Sequence, residues 1–322
     1  MKKVVVLAVF LLLFGHLSAA NAENFGMYVK VAENVEGSFE NAVKNIEDAL
    51  NKNGWQILAS YKASVPDGCG FRAHNIVAHS SKYAAQIASN GSSASFALPL
   101  RISIFENEKG INTAFVNPAS LNRTVLGDKV AREASISTMN KLSEILASAA
   151  KGKIVNAQIG EVRSSGRVGG MGGGNFNDKI VEIYKKKDSG NTFQEIAQKV
   201  KDGILSAKKG WKLIYSLDLN ESSVIIYGVN KAEMESRAYK IAGEKRESKN
   251  NRCPGIDHVS AFPIEVIIYK ESGMVKVVTL DEMYRMKVYF EDAGMWAFMK
   301  NMKMPGEIKG EIVEISSSLL KN

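Results

Sequence analysis

The sequence predicts an α+β protein of two repeated domains, in each of which helices pack on one face of a mainly antiparallel sheet. The main observation is a repeat: segment 97–105, Ala-Leu-Pro-Leu-Arg-Ile-Ser-Ile-Phe, returns as 261–269, Ala-Phe-Pro-Ile-Glu-Val-Ile-Ile-Tyr, shifted by 164 positions (263 − 99). Every second residue of both segments is apolar, which is the period of a strand with one buried face. Length supports the same organisation, because a chain of roughly 300 residues usually divides into two domains.

The first 22 residues have the pattern of a secretory signal. Two lysines precede an unbroken apolar run, Val4 to Phe14, and Ala20-Asn21-Ala22 resembles a cleavage site. The run is shorter than the roughly 20 residues that a membrane-spanning helix needs. We therefore expect an exported protein, periplasmic or secreted, that begins at Glu23 and has no stable membrane insertion.

The net positive charge of the chain limits the kinds of partner that the protein is expected to bind. Removal of the two signal lysines would leave 40 basic residues (42 − 2) against 34 acidic ones, an excess of six. Export argues against nucleic acid as the partner of this excess. Anionic ligands, an anionic membrane surface and a solvated face all remain as explanations.

The first domain, 23–152, is predicted to open with a strand from Phe25 to Ala32. Ser38 is the expected cap of a helix that runs to about Asn53, and Gly54 ends it. The helix has one apolar stripe, formed by Phe39, Val43, Ile46 and Leu50. Further strands are predicted for 55–61, 71–79, 98–105 and 111–116, a short helix for 80–89 and a long helix for about 128–150.

The second domain, 179–322, repeats this order. A strand over 179–184 precedes a helix in which Thr192 and Glu195 form a capping box. Strands are predicted for 212–219, 223–229, 261–269 and 274–280, and helices for about 231–242 and 308–319. Between the domains, 153–178 is predicted to be a glycine-rich linker. Five glycines within 169–174 could instead cradle a phosphate, but neither dinucleotide nor P-loop spacing is present.

These features together resemble a known family, the domain of unknown function DUF302 of bacteria and archaea. The shared features occur in both halves: Gly54-Trp55 and Gly210-Trp211, the two proline-containing strands, and Asn117-Pro118 and Asp281-Glu282. The second half departs from the family at Glu282, where proline is usual, and in an extra segment from Tyr289 to Pro305. The resemblance implies a fold similar to half of the TATA-binding protein, in the order strand, helix, four strands, helix. It implies no established activity.

One short segment, Cys-Pro-Gly-Ile-Asp-His, supplies the candidate ligand-binding residues Cys253, Asp257 and His258. A thiol beside an imidazole also allows a nucleophilic enzyme. A zinc site is disfavoured, because even catalytic zinc takes three protein ligands. No catalytic residue is assigned. Cys69 and Cys253 are the two cysteines of the chain and could form a disulfide between the domains, with two separate thiols as the alternative.

The extra segment of the second half is rich in methionine. Met295, Met299, Met302 and Met304 are candidate ligands of Cu(I) or haem, because thioethers are soft ligands. The first three also recur at helical spacing, which is typical of a core stripe.

The sequence favours an exported, non-enzymatic protein that binds a small ligand or a protein partner on its sheet faces or in the cleft between its domains. A metal or haem handling protein that uses 295–304 is one alternative. An enzyme that uses Cys253 and His258 is the other. The sequence names no cofactor and no specific partner.

Overall fold

The computed structural model describes residues 23–242 and 255–320, so the predicted signal segment and Cys253 lie outside the described residues. Two antiparallel sheets, each accompanied by helices, confirm the α+β class. Across the described ranges, no helix combines the length and the apolarity needed to cross a membrane.

The first domain contains six strands and four α-helices. In chain order they are β1 (Phe25–Val35), α1 (Phe39–Lys52), β2 (Gln56–Lys62), β3 (Ala73–His79), α2 (Ser81–Ala88), β4 (Leu100–Asn107), β5 (Gly110–Val116), α3 (Pro118–Leu126), α4 (Arg132–Ala149) and β6 (Lys153–Arg163). The strands form one sheet in the order β2-β3-β4-β5-β1-β6.

The second domain contains five strands. Its elements are β7 (Ile180–Lys187), α5 (Thr192–Leu205), β8 (Trp211–Leu219), β9 (Val224–Lys231), α6 (Ala232–Ala242), β10 (Ile264–Glu271), β11 (Met274–Leu280), α7 (Glu282–Phe290), α8 (Met295–Lys300) and α9 (Lys303–Ser317). Its sheet order, β8-β9-β10-β11-β7, follows the first five strands of the other sheet.

Both faces of β4 and β10 are covered, whereas the alternating pattern predicted one buried face. Residues 100–105 and 264–269 are all buried. Helices α1 and α4 contact the first sheet and α5 contacts the second. The opposite faces meet between the domains, where the 3₁₀ helix Ile256–Ala261 contacts β4 and its counterpart Ser92–Ala97 contacts β10. In each domain, the other domain therefore covers the sheet face that the alternating pattern predicted to be exposed to solvent.

Two helix starts test the capping predictions. Ser38 caps α1 as predicted, because its hydroxyl accepts a hydrogen bond from the Asn41 amide at 3.2 Å. The capping box of Thr192 and Glu195 is wrong: Asn191 is the N-cap and no side chain caps α5. The Thr192 hydroxyl instead donates to the Ser189 carbonyl, and so closes the turn before the helix.

Two further elements differ from the predictions. Strand β6 pairs with β1, so residues 153–163 of the predicted linker extend the first sheet. Its pattern is weak because Ile154 and Val162 are exposed on this edge strand. The predicted helix over 128–150 starts at Arg132, and a separate helix, α3, precedes it. Residues 118–125 of α3 are all buried, so this helix has no amphipathic stripe to reveal it.

Candidate functional site

The faces of β4 and β10 that meet between the domains are joined by a buried ion pair. Arg101 on β4 donates from Nη1 to Glu265 Oε1 on β10 at 2.9 Å and to the Pro263 carbonyl at 3.1 Å. Its guanidinium also donates to the Tyr289 hydroxyl and lies 4.8 Å from the centre of that ring. Burial by itself lowers the pKa of Arg101, but Tyr289 and Glu265 outweigh burial and keep the guanidinium charged. Side chains of both domains therefore meet in this contact.

His258 lies at the same interface, on the 3₁₀ helix Ile256–Ala261. The imidazole is 1% exposed, and its two nitrogens lie 2.7 Å from Asp257 Oδ1 and 2.9 Å from Asp292 Oδ1. Its ring stacks on Phe290 at 5.5 Å between centroids and meets the edge of Tyr28, from the first domain, at 5.2 Å. The structure thus brings Asp257 and His258 together as candidates, while Cys253 lies outside the described residues.

The two carboxylates determine the protonation of His258. Burial alone lowers the pKa of the imidazole, but Asp257 and Asp292 reverse this and raise it to about 9. The ring is therefore an imidazolium at neutral pH, with both N–H groups donating to carboxylates. Such a ring has no free lone pair for a metal ion or for a substrate proton. Sequence reasoning missed Tyr28, Phe290 and Asp292, because they come from distant parts of the chain.

Cys69 follows β2, in the loop before β3, and is disulfide-bonded. The chain has one other cysteine, Cys253, and it lies outside the described residues. The bridge between the two stays a prediction.

The candidate methionines do not share one environment. Met295, Met299 and Met302 are 56%, 51% and 47% exposed, whereas Met304 is 2% exposed and packs in the core. The alternative of a core stripe therefore fails for the first three residues, although they do have helical spacing. Their role as ligands of Cu(I) or haem remains a prediction.

A pocket in the first domain collects charged residues that sequence reasoning did not connect. It has a volume of about 440 Å³ and lies where α3, α4, the start of β1 and the segment after β6 meet. We call it the arginine pocket. Its lining includes Phe25, Arg123, Asp128, Lys129, Arg132 and Ser135.

Arg123 is the unusual member of the arginine pocket. Its side chain is buried, with 8% of its surface exposed, and its guanidinium lies 5.0 Å from the centre of the Phe25 ring. Both hydrogen-bond acceptors are backbone carbonyls: that of Glu23, at 2.9 Å from Nη1, and that of Arg163. Within the described part of the chain, Nε has no partner and no carboxylate forms an ion pair with Arg123.

Little negative charge near Arg123 compensates the positive charge of its guanidinium. Burial lowers its pKa, and the charges of Arg163 and Arg132 lower it further, against the opposing effects of Asp128 and Glu23. Glu23 pairs with Arg132 at 2.8 Å, and Asp128 accepts the Gly166 amide at 2.6 Å. Both acids of the pocket are thus held by other groups.

Helix α4 adds a second positive element. Its N-cap, Ala131, has φ of 51° and offers no side-chain hydrogen bond, so the first amides of this 18-residue helix have no cap. Arg132 and Ser135, both in the first turn, line the pocket. An uncapped helix N-terminus favours a negative group, and here it stands beside a buried, unneutralised guanidinium.

In a comparison with known protein families, one family model matches part of the chain. Residues 31–149 match the family model described as "Domain of unknown function DUF302", which is little more than a third of the chain. The match includes α3 and the first turn of α4, and residues from 150 onward lie outside it.

One similar solved structure is described as an uncharacterized conserved protein DUF302 from Bacillus stearothermophilus. It is 14% identical, has a TM-score of 0.33 and covers 39% of this chain and 98% of its own. No curated protein matches this chain.

Proposed function

We propose that this is an exported, non-enzymatic binding protein that holds a small anionic ligand in the arginine pocket of its first domain. The observation that carries the proposal is the state of Arg123, a buried guanidinium whose hydrogen-bond acceptors among the described residues are backbone carbonyls alone. A buried charge is costly unless it is paired. A carboxylate or phosphate group in the pocket would supply that pair.

The lining of the pocket limits the ligand further. Arg123, Lys129 and Arg132 stand against Glu23 and Asp128, so the side chains that line the site have one formal positive charge in excess (3 − 2). Phe25, Val130 and Ile136 line the pocket as apolar surface. This combination suits a singly charged oxyanion attached to a small apolar body, and the volume is in the range of ordinary ligand sites.

Binding fits the structure better than catalysis does. His258 is the imidazole that an enzyme would use with Cys253, yet each of its nitrogens faces a carboxylate and its pKa is raised to about 9. A general base must be unprotonated near the working pH. His258 is protonated there and is enclosed by the two domains.

We also infer that the second domain is a copy of the first. Several elements keep the shift of 164 at their first residues: β4 to β10 (264 − 100), β5 to β11 (274 − 110) and α3 to α7 (282 − 118). The 3₁₀ helices keep it as well (256 − 92). The shared sheet order supports the same inference. Export is supported by the signal pattern of the first 22 residues.

Ligand titration tests the function. Inorganic phosphate and benzoate, followed by calorimetry and thermal shift, are expected to bind saturably, and benzoate more tightly because of its apolar ring. Arg123→Gln is expected to weaken binding about tenfold or more, because it removes the buried charge. Arg72→Gln is the matched control, since Arg72 is an ion-paired arginine of the same domain outside the pocket.

The possible results distinguish binding in the pocket from attraction by overall charge. Circular dichroism first establishes that both variants fold. Absence of saturable binding by either anion, or equal affinities of Arg123→Gln and the wild type, would contradict the proposal. Equal losses in both arginine variants would indicate attraction by overall charge rather than a pocket.

A further inference from the structure

Another pocket, with a volume of about 380 Å³, lies between the two domains. The first domain contributes the start of β2, the end of β3 and helix α2 to its walls, and the second domain contributes the end of β8 and the 3₁₀ helix Asn220–Ser222. We call it the interdomain pocket. Its lining includes His79, Ala84, Ala85, Ala88, Asp218 and Glu221. No residue of the arginine pocket takes part in it.

His79, the last residue of β3, is the buried polar side chain of the interdomain pocket. It is 7% exposed, and within the described part of the chain its imidazole makes no hydrogen bond and no ion pair. His79 follows Asn75 by four residues on β3, and this even separation puts both side chains on one face of the sheet. Asn75 donates to the Val259 carbonyl of the second domain at 3.2 Å. The imidazole of His79 therefore lies on the face that meets the second domain.

The state of His79 differs from that of the other described histidines. His74 lies 2.6 Å from the Ser60 hydroxyl, and His258 lies between two carboxylates. Burial lowers the pKa of His79, so its ring is neutral near pH 7 and offers one lone pair and one N–H group. A buried polar group without a partner is costly. A ligand in the interdomain pocket would supply that partner.

The rest of the lining indicates what kind of ligand the pocket takes. Glu221 is exposed, and no described residue forms an ion pair with it. No lysine or arginine is among the described residues that line the pocket. Ala84, Ala85 and Ala88 of α2 add a wall of methyl groups, and such small side chains leave room for an apolar ligand body. Hydrogen-bond acceptors and a carboxylate thus lie beside apolar surface.

We propose that the interdomain pocket binds a small primary ammonium compound with a slim alkyl body. The ammonium group donates to the unprotonated nitrogen of His79 and to the carboxylate of Glu221, and the alkyl chain lies along the alanines of α2. A metal ion fits less well, because even catalytic zinc takes three protein ligands. Across residues 23–242 and 255–320, no group of three or more His, Cys, Asp or Glu side chains could hold a metal ion.

Butylammonium and its neutral counterpart, butan-1-ol, are suitable probes. The full chain, as its host expresses and processes it, is titrated with each compound at pH 7.5 and followed by calorimetry. We expect saturable binding of butylammonium, about tenfold tighter than that of butan-1-ol, because charged donors form the stronger hydrogen bonds. Nuclear magnetic resonance of the imidazole protons should show the resonances of His79 moving with the same titration curve.

Three variants locate the ligand. His79→Leu is expected to weaken butylammonium binding about tenfold, because it removes the buried acceptor. Glu221→Gln should weaken it about threefold, since an exposed carboxylate contributes less. Ala85→Leu places a larger side chain in the pocket from an exposed position, so it should weaken binding about tenfold without disturbing the core. His74→Leu is the matched control, because His74 is on the same strand but does not line the pocket.

The proposal fails if butylammonium does not bind saturably, or if butan-1-ol binds as tightly. It also fails if His79→Leu and Ala85→Leu both bind butylammonium as the wild type does. Saturable binding of Zn²⁺ that His79→Leu abolishes, without binding of butylammonium, would assign the pocket to a metal ion instead. Arg123→Gln is expected to bind butylammonium as the wild type does, so failure here is distinct from failure of anion binding in the arginine pocket.

Discussion

His258 shows how two neighbours can reverse the effect of burial on one side chain. Desolvation favours the neutral ring, but Asp257 and Asp292 raise its pKa from 6.5 to about 9. Because the pKa is raised on folding, the charged ring stabilises the native state fully below the unfolded pKa near 6.5. That stabilisation is lost as the pH rises through about 9.

We therefore expect the free energy of unfolding to fall by about 2 kcal/mol between pH 7 and pH 9.5, measured by urea denaturation. His258→Gln should remove most of this decrease. His79→Gln is the control, since burial lowers the pKa of His79 and its titration lies below this window. If the free energy of unfolding falls equally with pH in the wild type and in His258→Gln, His258 is not the group that causes the decrease. If that variant does not fold, an imidazole titration midpoint below 7 in the wild type, by nuclear magnetic resonance, would do the same.

At the scale of single elements, the contact between β4 and β10 depends on a buried ion pair. Arg101→Met alone leaves Glu265 buried without its partner, and we expect a loss of about 3–5 kcal/mol in the free energy of unfolding. The double change Arg101→Met with Glu265→Leu should recover much of that loss, because apolar residues can replace a buried pair. Chemical denaturation of the double-mutant cycle measures the coupling. Additive single effects would show that the pair is not coupled.

The elements whose sequence has a regular apolar period could be predicted, and those without one could not. Helix α1 and strand β4 carry the periods of 3.6 and 2 because each has distinct faces. Helix α3 is buried all round, and β6 has exposed apolar residues at a sheet edge. Arg123 was missed for the same reason, since nothing local distinguishes an arginine in a buried helix from one on a surface helix.

At the scale of the whole molecule, the predicted bridge between Cys69 and Cys253 would close a loop of 184 residues (253 − 69). The chain-entropy model gives such a loop up to about 5 kcal/mol of stabilisation. Reduction, or Cys69→Ser, is expected to lower the melting temperature, and non-reducing mass mapping should recover the two cysteines in one peptide pair. Recovery of Cys253 as a free thiol would contradict the pairing.

The arrangement of the domains could not be predicted from their patterns. Alternation along β4 indicates that one face is buried and leaves the other unassigned. Which surface covers the second face depends on contacts between residues more than 160 positions apart, such as Arg101 with Glu265. The composition of the His258 cluster was hidden for a similar reason, because Tyr28 comes from the first domain and Asp292 from a segment 34 residues further along the chain.

Arg101 and Glu265 are each the second residue of an eight-residue strand, and these two positions face each other. If two first domains associated in this geometry, arginine would oppose arginine, and two second domains would bring glutamate against glutamate. Like charges held together in an interface cost several kcal/mol. The ion pair that joins the first domain to the second therefore disfavours homodimers of either domain. Each domain favours association with the other domain over association with a second copy of itself.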